Sequence, residues 1–178
     1  INPNYGAIGT KNNCRRCTFA YEMSRRGYDV KATKTIGGTG QKSFGVMKAA
    51  SMNPYDDILE YKKLNKSIEV PKRKGLVDFL EHMEEHGKTV SNSVFDALSS
   101  QPNGSRGELT MCWFSGGGHS MAYEIVNNKP VIFDCQSGKK YDMDSFTEVA
   151  ETISEVNFFR LDNQQMDKNF LMRWVKDA

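Results

Sequence analysis

The sequence predicts an α+β fold in which helices come first and an antiparallel sheet follows. Helical patterns lie ahead of residue 100, the clearest being one signalled at both ends between Asn13 and Gly27 and one with apolar residues at helical spacing from Leu76 to Met83. Strand-like segments gather after residue 105, separated by turn signals rich in Gly, Asn and Pro. Elements that segregate in this way pack as α+β layers, whereas a doubly wound nucleotide-binding fold needs them to alternate.

Ile1 to Asn13 reads as an extended lead-in rich in Asn, Gly and Pro, and Asn13 is a good N-cap for a helix from Cys14 to about Arg26. Gly27 supplies the C′ residue that stops it, and Arg25 and Arg26 suit the negative end of the helix dipole. Tyr28 to Thr33 is β-like, and Gly37, Gly38 and Gly40 predict a flexible loop. Pro54 to Leu64 is weakly helical. Gly75 to Gly87 places Leu76, Phe79, Leu80 and Met83 on one buried helix face, and Asn92 to Ser99 predicts a shorter helix ended by Gln101-Pro102-Asn103-Gly104.

Leu109 to Phe114, His119 to Val126 and Val131 to Cys135 predict three strands, the last two joined by a turn over Asn127 to Pro130. His119 then stands at the open end of a hairpin. Asp144 to Ile153 predicts a helix, Asn157 to Leu161 a strand, and Asn169 to Val175 a final strand or short helix. The 178 residues suffice for one compact domain with a helical insert over 35–105.

A content of 38% hydrophobic and 26% charged residues is that of an ordinary globular protein and argues against disorder. The formal charge of +2, with signs interspersed along the chain, gives nucleic-acid binding no support. No apolar run approaches the roughly 18 residues of a membrane span. The opening Ile1 to Thr10 lacks the charged and apolar regions of a signal peptide and reads as part of a longer protein. A chain of this size can build its core without disulfides, so Cys14, Cys17, Cys112 and Cys135 are expected to be reduced.

The chemistry centres on Cys14, His119 and Asp134. A thiol nucleophile needs its thiolate stabilised, and a helix N-terminus does this through unpaired N–H groups and the positive end of its dipole. Arg15 and Arg16 add nearby cationic charge as weak support. The hairpin register can place the Asp134 carboxylate beside the His119 imidazole, orienting the ring and selecting its tautomer. Alone, His119 reads as a hairpin histidine and Asp134 as a turn former; their placement with a capped cysteine favours a triad. His119 would draw the proton from Cys14, the thiolate would attack a carbonyl or carboxamide carbon, and backbone N–H groups at the helix start would hold the oxyanion.

Cys17 competes for the nucleophile's role, because papain-type enzymes place two cysteines three residues apart and use the second. A helix begun at Asn13 leaves Cys14 in the first turn while Cys17, Ala20, Tyr21 and Ser24 run along one face toward the core, which favours Cys14 and keeps Cys17 as the alternative. Asn13, Gly118 and Gln136 are the candidates for contacting substrate or oxyanion. Glycines before His119 leave room for a substrate backbone, and Gln136 has turn membership as its other reading. Cys112 and Cys135 are expected to be inert core thiols.

Asn13-Cys14-Arg15-Arg16-Cys17, Ala20-Tyr21-Glu22 and Arg25 to Val30, together with Arg106-Gly107, Gly118-His119 and Phe133 to Gly138, resemble the motifs of the papain-fold toxin (Tox-PL) glutamine deamidase family. Cys135 stands where that family's pattern has a proline, and nothing in residues 35–105 takes part in the likeness. The resemblance implies a papain-like fold, the Cys-His-Asp triad and deamidation of a target protein's glutamine without a cofactor. It also implies a secreted or delivered monomeric effector acting in a target cell's cytoplasm, with an immunity protein as possible partner. A papain-like protease or deubiquitinase-type peptidase shares the chemistry up to the acyl-enzyme. A binding module of a phage or mobile-element particle is the non-enzymatic rival.

Cys14-x-x-Cys17 also invites a zinc or redox reading. Cys17 and His82 are too far apart in sequence for a finger, His82 and His86 read as a solvated helix face, and no convincing strand precedes the pair as a thioredoxin-like motif requires.

Overall fold

A computed structural model describes residues 2–3, 5–6, 13–35, 62–63, 76–166, 169 and 175–177. Helix α1 (Cys14–Arg25) leads into strand β1 (Val30–Ala32), followed by β2 (Lys62–Lys63), helix α2 (Leu76–Ser99), β3 (Arg106–Trp113), β4 (Gly118–Val126), β5 (Lys129–Phe133), β6 (Lys140–Tyr141), helix α3 (Met143–Ala150), β7 (Ile153–Arg160) and β8 (Val175–Asp177). Among the described residues the strands form a six-stranded sheet in the order β2-β7-β3-β4-β5-β6 and a two-stranded β1-β8 ribbon. The strand pairs are antiparallel. The molecule is an α+β fold with its N-terminal helix laid on an antiparallel sheet.

Alternation along the central strands gives the sheet two unlike faces. Leu109 and Met111 of β3, Met121, Tyr123 and Ile125 of β4, Ile132 of β5 and Val156 and Phe158 of β7 join Val90, Val94, Phe95 and Leu98 of α2 and Phe146 of α3 in the main apolar core. The intervening residues face α1: Ala122 clusters with Cys17, Phe159 clusters with Phe19 and Met23, and Glu108 and Ser120 meet polar partners on the helix.

Helix α1 ends as expected. Tyr28 donates to the Met23 carbonyl at 3.1 Å and Gly27 to Ser24 at 3.0 Å, with Gly27 at φ +92°, which is the Schellman pattern. Asn13 is the N-cap by position only, since its side chain makes no capping hydrogen bond. The β4-β5 turn is carried by Asn127 and Asn128 at φ 52° and 61°, the two left-handed residues of a type I′ hairpin, and Pro130 already belongs to the strand.

Several elements depart from expectation. The helices expected over Gly75–Gly87 and Asn92–Ser99 are one continuous helix of 24 residues. Gly87 marks no end: a Cβ there would lie 2.6 Å from the Thr147 carbonyl and 2.8 Å from the Glu151 side chain, so the glycine lets α2 and α3 approach closely. Met83 is half-buried, whereas the side chains of Leu76, Phe79 and Leu80 lie outside the described residues. Lys62 and Lys63, expected in a weak helix, pair with β7, and the rest of that segment is likewise outside, as are Gly37, Gly38 and Gly40. Helix α3 closes at Ala150, with a capping box between Asp142 and Ser145, and Ile153 opens β7. Of the Asn169–Val175 segment, Val175 starts β8 against β1.

Candidate active site

Cys14 is the first residue of α1 and is half-buried, and Cys17, one turn later, is fully buried against Ala122 and Cys135. Burial, aided by the charges of Cys14 and Asp134, pushes the Cys17 thiol up to about 12, so it stays protonated at neutral pH. Its Sγ donates to Asn13 Oδ1 at 3.4 Å. Cys17 and Ala20 point inward as expected, while Ser24 is exposed.

His119 enters on β4 opposite Met111 of β3. Its Nε2 stands 3.2 Å from Asp134 Oδ1, and its side chain also hydrogen-bonds Cys14, which leaves Nδ1 as the ring nitrogen for the thiol. Burial acts against a charged ring. The hydrogen bonds to Asp134 and Cys14, with the charges of both, outweigh it and raise the imidazole to about 9.

Asp134 follows β5 directly and is held by its own turn. Its Oδ1 accepts from the Gln136 N–H at 3.0 Å and the Ser137 N–H at 3.3 Å, and its Oδ2 accepts from Ser137 Oγ at 2.6 Å. Burial acts to raise this carboxyl, but its hydrogen bonds to His119 and Ser137, with the imidazolium charge and the Gln136 N–H, bring it down to about 2. A carboxylate so fixed has one geometry to offer the ring.

Gln136 and Asn13 join this turn to the start of the helix. Gln136 Nε2 donates to Asn13 Oδ1 at 3.2 Å, and Asn13 Nδ2 donates to the Thr33 carbonyl at 3.1 Å and to Asn2 Oδ1 at 3.3 Å. Both amide protons of Asn13 are thus engaged within the fold, and its side chain brackets the Asp134 turn to the start of α1. At Gly118 a Cβ would run into the Met111 carbonyl, so close strand pairing requires the glycine. Beside Asp134 opens a depression of about 340 Å³ lined by Tyr5, Tyr21, Phe133, Cys135 and Gln136 among others; neither Cys14 nor His119 lines it.

Three expectations around the site need correction. Arg15 is buried and bonds Glu108 at 2.9 Å, and Arg16 donates to Thr33 Oγ1 at 2.6 Å, so each guanidinium has a partner of its own. Cys112 is exposed near the end of β3, just before that strand shifts register against β7, while Cys135 is buried and its thiol is pushed up by burial. His86 is buried rather than solvated, with Nε2 2.6 Å from the Ile153 carbonyl and its ring 5.2 Å from that of Phe114. Among the described residues no group of three or more His, Cys, Asp or Glu is placed to hold a metal ion, and no helix is long and apolar enough to cross a membrane.

Sequence reasoning overlooked Ser137, Thr18, Ser120 and Glu108. Ser137 was open to discovery, since Asp-x-x-Ser is a common side-chain turn pattern. The other three meet only through tertiary contacts.

No family model matches the chain, and no curated protein matches it in sequence. Among solved structures it is similar to the Pseudomonas avirulence protein AvrPphB, with 14% identity and a TM-score of 0.38 over 90% of this chain and 98% of that one.

Proposed function

We propose that the chain is a papain-like cysteine hydrolase in which Cys14 is the nucleophile, His119 the acid–base and Asp134 the residue that orients the imidazole. The observation that carries this reading is the placement of His119 between the Cys14 thiol and a fixed Asp134 carboxylate, with the imidazole raised to about 9. An imidazole of that basicity accepts the thiol's proton and keeps it through neutral pH, ready to deliver it to a leaving amine or ammonia. Cys17, buried and held protonated, is unsuited to attack.

The substrate we propose is the side-chain carboxamide of a glutamine on a target protein. The thiolate adds to the amide carbon, the tetrahedral oxyanion is held by N–H groups at the start of α1, and ammonia leaves with the proton from His119. Water then enters, gives its proton to His119 and releases glutamate and the free thiol. The choice of glutamine rests on the motif resemblance, as do delivery into a target cell and an immunity partner. The triad itself serves a peptide bond equally well.

Intact-mass measurement of a target protein, incubated with wild type and with Cys14→Ala, tests this. A gain of about one dalton per site that Cys14→Ala abolishes is expected, since ammonia leaves and water is added. Cleavage into fragments would replace deamidation by proteolysis, and unchanged product with Cys14→Ala would end the assignment of Cys14 as nucleophile; unchanged product with Cys17→Ala as well would end the thiol mechanism.

A further inference from the structure

The residues that follow the nucleophile and the imidazole in sequence, Arg15 and Ser120, meet on one oxygen of a third residue. Arg15 Nη2 lies 2.9 Å from Glu108 Oε1, and Ser120 Oγ donates to the same atom at 2.7 Å. Thr18 Oγ1 stands 3.0 Å from Ser120 Oγ and donates to the Cys14 carbonyl at 3.2 Å. Ser120 gives its one hydroxyl proton to Glu108 and Thr18 gives its own to the Cys14 carbonyl, so the two hydroxyls meet as polar neighbours, and a circuit of polar contacts runs from Cys14 through α1 to β3 and back to the strand that carries His119.

Two turns along α1 the charges reverse. Glu22, also buried, accepts from Arg106 Nε at 3.3 Å and from Arg26 Nε at 2.7 Å. Arg106 and Glu108 are two residues apart on β3, and Arg15 and Glu22 are seven apart on α1, so each pair shares one face of its element. The helix thus carries its buried cation near the N-terminus and its buried anion near the C-terminus, the opposite of what the helix dipole favours. Sliding the helix by two turns, or reversing it, would set like charges against each other.

Stability does not explain this arrangement. A buried ion pair seldom outperforms apolar side chains of the same volume, and Glu108 Oε2 has no hydrogen-bond partner among the described residues, a further desolvation penalty. What the circuit does provide is register between the helix bearing Cys14 and the strand bearing His119.

We propose that Arg15, Glu108 and Ser120 are positioning residues, a buried register lock that holds the Cys14 thiol at bonding distance from His119. This rests on Cys14 being the nucleophile. The lock acts through the backbone of α1 and β4 and touches no substrate.

The test compares wild type, Arg15→Met/Glu108→Leu, and the milder Ser120→Ala, all in a Cys112→Ser background so that the exposed thiol does not report. Thermal unfolding and the pH profile of iodoacetamide labelling at Cys14 are measured on each. The double variant is expected to keep a cooperative transition at or above the wild-type midpoint, as apolar replacements of buried pairs do. Its labelling at neutral pH is expected to fall about tenfold, because a displacement of about 1 Å suffices for losses of that order or more. The pH profile of its labelling is expected to change shape as the Cys14–His119 contact is lost, which a purely structural role would not cause. Ser120→Ala should move in the same direction by about threefold, and it carries the test if the double variant does not fold. Wild-type labelling and profile retained in a folded variant would overturn the lock alone. Slow labelling of Cys14 in the wild-type background itself would overturn the nucleophile assignment and the lock with it.

Discussion

Helices α1 and α2 cover opposite faces of one sheet by different means. The inner face of α2 is apolar along Val90, Val94, Phe95 and Leu98, and it joins the largest cluster of buried hydrophobic residues described. The inner face of α1 mixes Phe19, Ala20 and Met23 with Arg15, Thr18 and Glu22, all buried and the polar ones bonded to the sheet. Apolar contact is non-directional and forgives small shifts, whereas a buried ion pair requires its geometry. The α2 side therefore carries stability, and the α1 side carries placement.

That division can be broken by substitutions that separate activity from stability. The largest effect expected is that of Cys14→Ala, a loss of turnover of about 10⁴-fold or more with a thermal midpoint close to wild type. Asp134→Asn should lower turnover by about 10³-fold, through loss of the tautomer and of the carboxylate that raises His119, and should move the alkaline limb of activity to lower pH. On the other face Leu98→Ala should cost about 2–5 kcal/mol in chemical denaturation while the molecules that remain folded keep their turnover. A Leu98→Ala protein that stays folded but loses turnover would erase the distinction between the faces.

Smaller effects sharpen it. Turnover should fall as pH rises through about 9, where His119 gives up the proton that the leaving group needs. The same shift affects stability with a definite sign: a folded value raised above the ordinary 6.5 stabilises the fold fully below that pH, and the contribution is lost as pH rises through about 9. For Asp134, lowered from 3.8 to about 2, the contribution is present above the ordinary value and is lost as pH falls through about 2. Gly87→Ala gains about 1 kcal/mol of helix propensity but forces a methyl against α3, an overpacking of about 1–3 kcal/mol. A modest net loss in denaturant midpoint is expected, and a gain would show that α2 and α3 yield at their contact.

Local chemistry was legible in the sequence and tertiary pairing was not. The stop at Gly27, the turn at Asn127-Asn128 and the approach of Asp134 to His119 all follow from residues close together in the chain, where backbone preference and hairpin register decide. Arg15 was misread because its partner Glu108 lies on a strand far along the chain, and no local pattern announces a buried ion pair. Gly87 was misread as a helix end because a glycine in a helix and a glycine after one look alike until the neighbouring helix is known. Asn13 was well chosen as the residue before the helix, but its amide found buried partners that outcompeted the cap. Cys112 and His86 exchanged their expected environments for the same reason: exposure at a strand's end or beneath a loop is set by the packing of distant segments.

The hairpin that joins His119 to Asp134 also divides the making of the site in time. The two residues are 15 apart and linked by a tight turn, while Cys14 lies 105 residues from His119. Closing a loop seven times longer adds about 1.7 kcal/mol of chain entropy, and hairpins of this kind form in microseconds. Imidazole and carboxylate can thus meet early, with the thiol delivered from afar when α1 docks. Until α1 docks, the hairpin holds imidazole and carboxylate together without the proposed nucleophile.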